Sequence, residues 1–415
     1  MKEKVDLVIY NVGELVTFNN TVPGDVSEEN AGILRDASIA VKNGVIWDVG
    51  DTDELLGKYV GELVDAQGNL VTPGLIDTHT HMVFAGSRED EFEYKIMGLS
   101  YEEILGKGGG IYRTVNATHQ ATVDELVLRG LEILGEMIQH GSTVVEIKGG
   151  YGLDLDGEIK IMEAANIIST KTPAGIIPTM QAHVIPCEYK NDRKAYIDYY
   201  VNKMLVEASE RKLAVYSDVF CDKGAFTPSE TKYILEESLK LGFKLRIHAD
   251  QLAYIGCSKI AGDLPVDAMD HLDYMPPENA RILAHKGVAA GLTPTSELAM
   301  FSTGHPPVEE LRKLKVPIAL GTDYNPNNMT PNIQLVMDLA TYKYRLTPLE
   351  ALAGATVNAA YSLRIHDSRG RIRKGYRADI VIWRIPSHRW IGYLWGVNKV
   401  EKVYVSGKEV WRRNY

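Results

Sequence analysis

The stretch Leu75-Ile76-Asp77-Thr78-His79-Thr80-His81 decides how the rest of the chain is read. It is a short apolar run that ends in two histidines one residue apart. In an extended segment alternate residues project to the same side, so both imidazoles can reach one ion. Working outward, seven more short apolar runs follow, at 143–147, 176–182, 215–220, 244–248, 267–270, 288–292 and 317–320. Between them lie longer amphipathic stretches, among them 123–139, 157–170, 193–212, 229–241, 278–285, 331–344 and 348–359. Strand-like runs alternating with amphipathic helices make βα units and a parallel sheet, and eight such units close a barrel. A doubly wound open sheet is the competing architecture, but no G-x-G-x-x-G follows the first run. The expected fold class is therefore α/β, a (β/α)8 TIM-type barrel spanning 73–360.

The two ends read differently. Short β-branched runs at 6–10, 14–18, 37–41 and 45–49 are separated by turn residues, with Lys42-Asn43-Gly44 a hairpin signal. Near the other end 379–383 and 400–405 are strand-like, and Ser406-Gly407-Lys408 turns the chain into 409–411. Neither set has enough strands for a stable core of its own. Residues 1–72 and 361–415 are therefore expected to combine in one small composite β-sandwich domain. The roughly 60 residues between the first two barrel runs exceed a single helix, so a substrate-covering insertion is expected there.

At 415 residues, and roughly 150 per domain, the chain has room for two to three domains. The 45 Lys+Arg against 55 Asp+Glu give a net charge of -10, and no Lys/Arg-rich block is present. Nucleic acid is excluded as a partner on that ground. No stretch of ~18 consecutive apolar residues is available to cross a bilayer. Acidic residues interrupt the apolar segment after Lys2 and Lys4, so the N-terminus does not read as a signal peptide. Cys187, Cys221 and Cys257 form an odd, widely spaced set. The expectation from them is a reducing compartment, with neither a disulfide framework nor a cysteine metal cluster. What remains is a cytoplasmic protein acting on a small molecule.

Eleven histidines are present, and in a barrel of this kind chemistry sits where strands end at the carboxyl face. His79 and His81 end the first run, His183 follows the third, His248 ends the fifth, His271 the sixth, and Asp323 follows the eighth. His79, His81, His248 and Asp323 offer three neutral nitrogens and one anionic oxygen, a set suited to zinc or iron rather than magnesium or calcium. Any one of these histidines alone is more simply a hydrogen-bonded structural residue; their joint placement on one face points to a metal. His119, His140, His285, His366 and His388 fall away from that face and read as surface or capping residues, while His305 is assigned no role.

Extended back to Pro73-Gly74, the opening stretch resembles the first metal-binding motif of the amidohydrolase superfamily. Its continuation, Val83-Phe84-Ala85-Gly86-Ser87-Arg88-Glu89-Asp90-Glu91-Phe92, is similar to the imidazolonepropionase family in particular. So are Gly108-Gly109-Gly110-Ile111, Glu146-Ile147-Lys148, Gly150-Tyr151-Gly152-Leu153, Asp218-Val219-Phe220-Cys221, His248-Ala249-Asp250, Thr322-Asp323 with Asn325-Pro326, and Gly375 with Arg377-Ala378-Asp379. The resemblance implies a barrel with a composite β-sandwich, in agreement with the count of runs. It also implies a cytoplasmic step of histidine degradation, hydrolysis of 4-imidazolone-5-propanoate to N-formimidoyl-L-glutamate, with one Zn2+ or Fe3+ per subunit and a homodimeric assembly. A metal at the four ligands lowers the pKa of water from ~15.7 to about 7. Asp323 is then expected to move the water proton to the ring nitrogen, and the metal or His271 to stabilise the developing oxyanion. The propionate needs a cation, and the family motif puts Arg88, a planar fork, in the pocket. On its neighbours alone, Glu89, Asp90 and Glu91, Arg88 reads more simply as a solvated loop residue. Tyr101 and Tyr151 match pocket-lining positions of the family, and His183 and Asn325 are expected to hydrogen-bond the substrate ring.

The chain departs from the family pattern in places. Where the family has Glu after His-Ala-Asp, Gln251 stands here, and an amide exchanges no proton. A shuttling role would fall to Asp323 and His271, whereas a ring-positioning role Gln251 can fill itself. Gly150 replaces a Ser, Asp222 a Glu, and Asn327 the Gly of an Asn-Pro-Gly turn. The Gly108–Gly110 run lacks the Lys-Ser/Thr of a phosphate loop. Lys148 ends the second run rather than the fourth, where two-metal amidohydrolases carry a carboxylated bridging lysine, so one metal is expected. Two rival readings stand beside the hydrolase: a cyclic amidine or nucleobase deaminase on the same barrel, and a catalytically silent ligand-binding relative marked by Gln251.

Overall fold

The computed structural model describes residues 1–99, 103 and 109–414. Eight strands pair in chain order: β1 (Leu75–Asp77), β2 (Ser142–Lys148), β3 (Gly175–Ala182), β4 (Tyr216–Cys221), β5 (Lys244–Ala249), β6 (Val266–His271), β7 (Ala289–Leu292) and β8 (Ile318–Leu320). Every adjacency in this sheet is parallel. Each strand coincides with one of the eight apolar runs, because strands covered on both faces need continuous rather than alternating hydrophobicity. In β2 and β4 every residue is buried. The circle closes where the Thr322 N–H and hydroxyl donate to Asp77 at 2.9 and 2.7 Å, and the Thr78 hydroxyl donates to the Leu320 carbonyl at 3.0 Å. Burial pushes the Asp77 carboxyl up to about 7, against the pull of the Thr322 bonds.

The helices between strands start where the sequence supplies caps. Thr122 with Glu125, Thr227 with Glu230 and Thr347 with Glu350 each form a reciprocal capping box, which satisfies N–H groups the first turn leaves unpaired. The stretch 193–212 is helix Arg193–Tyr199, a π-turn at Tyr200–Leu205 and helix Val206–Glu210. The stretch 348–359 divides into Pro348–Gly354 and Val357–Ser362. In the segment between β1 and β2, the helices Glu89–Ile96, Ile111–Gln120 and Val123–Gln139 are described.

Both ends of the chain build a sandwich of two further sheets. One runs Lys408–Arg412, Val400–Val405, Ile380–Trp383, Leu70–Pro73, Glu14–Val16, Ile33–Leu34, so the termini join where Ile380 faces Pro73 in antiparallel register. The other runs Val45–Asp51, Ala37–Lys42, Glu3–Val12, Tyr59–Asp65. Leu7, Ile9, Ile39 and Val41 from this sheet pack on Leu15, Val71, Ile380 and Tyr404 from the first. Asn43 and Gly44 both have positive φ, 52° and 76°, which the tight hairpin between two of these strands requires. Strands Tyr59–Asp65 and Leu70–Pro73 and helix Thr52–Lys58 lie outside the expected runs.

Two expectations are corrected. Cys221 and Cys257 are joined in a disulfide, where none was expected. Sequence separation hid the pairing: Cys221 ends β4, the loop after the neighbouring β5 folds back over it, and Cys257 opens the next helical turn. The cysteines therefore give no argument for a reducing compartment; Cys187 is the free thiol. His388, read as a surface or capping residue, is buried in the sandwich, where its backbone N–H and Nδ1 both reach Glu14 Oε1 at 2.7 Å.

Candidate metal centre and active site

The carboxyl ends of β1, β5, β6 and β8 converge on one point because parallel strands in a closed sheet all aim the same way. His79, His81 and His248 each offer a ring nitrogen within 4.8 Å of the others, and the ring nitrogens of His79 and His271 lie equally close to a carboxylate oxygen of Asp323. All five are buried. Asp323 Oδ1 lies 3.4 Å from His79 Nε2 and 3.7 Å from His81 Nε2. The rings of His79 and His248 are 4.4 Å apart between centroids, and His271 is 5.0 Å from His79.

The partners of these rings fix which nitrogen faces the centre. Asp270 can only accept, so His79 Nδ1–H donates to it at 3.0 Å. By the same reasoning His81 Nδ1–H donates to the Gly149 carbonyl at 3.0 Å and His248 Nδ1–H to Asp218 at 2.9 Å. Burial, followed by the proximity of other cationic groups, holds the pKa values of His79 and His81 well below the ordinary imidazole value, so both rings are neutral. Each Nε2 then carries a bare lone pair. His79 Nε2 is a buried atom with no hydrogen-bond partner, although buried polar atoms are almost always satisfied. Two bare lone pairs, one orphaned, with the His248 ring and a carboxylate beside them fit a tetrahedral metal ion.

The same mouth of the barrel forms a cleft of about 210 Å3. Its lining includes His81, Arg88, Tyr151, His183, His248, Gln251, His271, Asp323 and Asn325, so most of the sequence candidates share one cavity. Tyr101 lies outside the described residues. Arg88 is buried, and its Nε and Nη2 donate to the Thr114 hydroxyl at 3.2 and 2.6 Å. His183 Nδ1–H donates to the Gly150 carbonyl at 2.8 Å, and burial lowers its pKa to about 4, so it meets a ligand as a neutral ring. His271 shares a 2.9 Å hydrogen bond with the Thr293 hydroxyl. Asn325 Nδ2 donates to Asp323 Oδ1 at 2.9 Å. The Gln251, Leu252 and Ala253 N–H groups all donate to Asp222, which anchors the Gln251 loop beside the disulfide.

Several residues complete the site, and of these only Lys148 and Asn327 stand out in the sequence. Lys95, on helix Glu89–Ile96, is a second cation lining the cleft, and its Nζ donates to Asn327 Oδ1 at 2.9 Å. The Asn that replaces a family Gly thus ties that helix to the loop after β8. Glu158 accepts the N–H groups of Gly150, Gly152 and Leu153 and so shapes the loop carrying Tyr151. The amide of Gln181 lies 3.0 Å from His248 Nε2. Lys148 is fully buried and ion-paired with Asp218, Glu146 and Asp270. Burial opposes its charge, but those carboxylates outweigh it and hold its pKa above the ordinary lysine value. An ammonium kept charged among carboxylates is no place for a bridging carbamate, which supports a single metal.

Comparison with known proteins agrees with this arrangement. Residues 70–410 match the amidohydrolase family. An imidazolonepropionase from Pyrobaculum arsenaticum is 44% identical over 407 residues, 97% of this chain and 99% of that one. Another from Alkaliphilus oremlandii is 38% identical, covering 98% of both chains. Among solved structures, an adenosine deaminase from Xanthomonas campestris with bound zinc superposes with a TM-score of 0.74 at 18% identity, over 99% of this chain and 93% of that one. At that identity the likeness speaks for the fold alone. Relatives with these names and a buried His/Asp set together point to a metal.

Proposed function

This chain belongs to the amidohydrolase family and, within it, to the imidazolonepropionases, and from that premise we propose how its residues carry out the reaction. The protein is a hydrolase of carbon–nitrogen bonds in cyclic amides: it opens 4-imidazolone-5-propanoate to N-formimidoyl-L-glutamate, in the degradation of histidine to glutamate. The single observation that carries the residue roles is the sharing of one cleft by the His/Asp cluster and two cations, Arg88 and Lys95. Such a cleft suits a small ring with a carboxylate arm.

His79, His81, His248 and Asp323 would hold one Zn2+ or Fe3+, ions that accept the same donors. The bound ion supplies Lewis acidity and brings the pKa of water to about 7. Asp323, held by Asn325, takes the proton of the attacking water and delivers it to the ring nitrogen that leaves. His271 faces the ring carbonyl and stabilises the charge developing on its oxygen. Arg88 pairs bidentately with the propionate, with Lys95 as a second positive charge. Tyr151, His183, Asn325 and Gln251 orient the ring; Gln251 acts through hydrogen bonds without exchanging a proton.

The protein works as a homodimer in the cytoplasm. Trp390 with Tyr393 and Tyr342 with Trp395 are two exposed aromatic pairs, residues of the kind interfaces cover. No helix among the described residues is long and apolar enough to cross a membrane. The test of the activity is direct. Metal-replete protein should consume the imidazolone absorbance of the substrate and form N-formimidoyl-L-glutamate; unchanged absorbance, or release of ammonia from a cyclic amidine instead, would overturn it.

A further inference from the structure

Beneath the histidines lies a buried ionic cluster whose contacts end on two of the proposed ligands. Lys148 Nζ is 2.5 Å from Asp218 Oδ2, 2.9 Å from Glu146 Oε1 and 3.3 Å from Asp270 Oδ2. Asp218 accepts from His248 and Asp270 accepts from His79. One ammonium therefore lies between two carboxylates on different strands, β4 and β6, and each carboxylate aims the ring of a different ligand. Lys148 itself extends from β2, where Glu146, two residues earlier on the same face, shares its charge and is braced by the Thr179 hydroxyl at 2.6 Å. Arg246 on β5 closes the cluster from the other side, with Nη2 2.8 and 3.0 Å from the two oxygens of Asp270. The packing leaves no slack: a Cβ on Gly291 of β7 would stand 2.0 Å from Asp270 Oδ1.

We propose that Lys148 is a positioning residue for the metal site, a single buried charge that sets the places of Asp218 and Asp270 and through them the Nε2 lone pairs of His248 and His79. It does not line the cleft. Its geometry differs from that of a generic core ion pair in one respect: each of its two outer partners, Asp218 and Asp270, also holds a ligand ring. The hydrogen bonds behind metal-ligating histidines typically change metal affinity 10- to 100-fold, and here two of them share one support.

The proposal rests on the metal-site reading above, and the experiment separates the two. Lys148→Met alone leaves three carboxylates buried around a missing cation and is at risk of not folding. Lys148→Met/Glu146→Gln removes one charge of each sign and keeps the cluster's net charge. Zn2+ affinity is measured by competition with a chromogenic chelator, alongside the thermal midpoint of the metal-free proteins. If wild type takes up no Zn2+, the metal-site reading fails. If it binds Zn2+, the double variant is expected to melt close to wild type without metal yet bind Zn2+ ten- to a hundredfold more weakly. Affinity within twofold of wild type in the folded double variant overturns the proposal, and so does a double variant that cannot fold, because Lys148 is then a folding element first.

Discussion

Replacing Arg88 by Met removes the guanidinium while keeping a long apolar stem. Arg88 is 6% exposed, gives two hydrogens to Thr114 and has Glu91 4.0 Å from its Nε. Thr114 keeps its bond to the Ile111 carbonyl and Glu91 keeps the Gly110 N–H, so neither neighbour is stranded by the change. The loss should therefore fall on the substrate. Truncating one partner of a buried charge pair costs about 2–5 kcal/mol. Lys95 remains on the same cleft, which puts the expected loss at the low end, about 2–3 kcal/mol or roughly 30- to 150-fold in kcat/KM. Most of it should appear in KM, since the propionate stays charged throughout the reaction and is bound alike in ground and transition states. Loss of imidazolone absorbance under initial-rate conditions measures it. Lys95→Met should raise KM by a smaller factor, and combining the two should nearly abolish saturation. A KM within twofold of wild type in Arg88→Met would refute the assignment.

Gln251→Glu should change the rate by less than tenfold if the amide only orients the ring; a rise of a hundredfold or more would mean that the chain lacks a proton shuttle it needs. Thiol titration of unreduced protein should find one reactive sulfhydryl, Cys187, and three after reduction and unfolding; three without reductant would contradict the Cys221–Cys257 bond. In the metal-free protein the buried histidines should make stability fall as pH falls. His183 has a folded pKa of about 4 against an unfolded value near 6.5, and His271 is likewise depressed by burial, so the unfolded chain binds more protons in that window. Asp77, raised to about 7, pulls the other way, so the test is a difference: between about pH 6.5 and 4 the urea midpoint should fall more in wild type than in His183→Gln, and an equal pH dependence in the two would show the His183 ring to be charged or exposed.

The barrel was legible in the sequence because its strands are covered on both faces, and only continuous apolar runs meet that demand. The His-x-His pair was legible for a similarly local reason, since two residues of strand place both rings on one side. Cys221 with Cys257, and Lys95 with Asn327, were not. Each pair joins loops or helices whose approach depends on how neighbouring βα units stack, and no local periodicity encodes that. The Lys148 cluster shows the same limit: alone in a sequence, a strand lysine looks like an end-of-strand charge, and only the barrel brings Asp218, Asp270 and Arg246 to it. His388 misled because a short helical turn near the C-terminus gives no sign that Glu14, at the other end of the chain, lies against it.

In the proposed mechanism one metal ion, held at the mouth of the barrel, makes this chain an imidazolone hydrolase. Stripping the protein with a chelator and titrating Zn2+ back while following turnover tests it most directly. Activity should be absent at the start, rise linearly and level off at about one equivalent per chain. Turnover in the stripped protein, or a fully loaded chain that leaves the substrate intact, would contradict it.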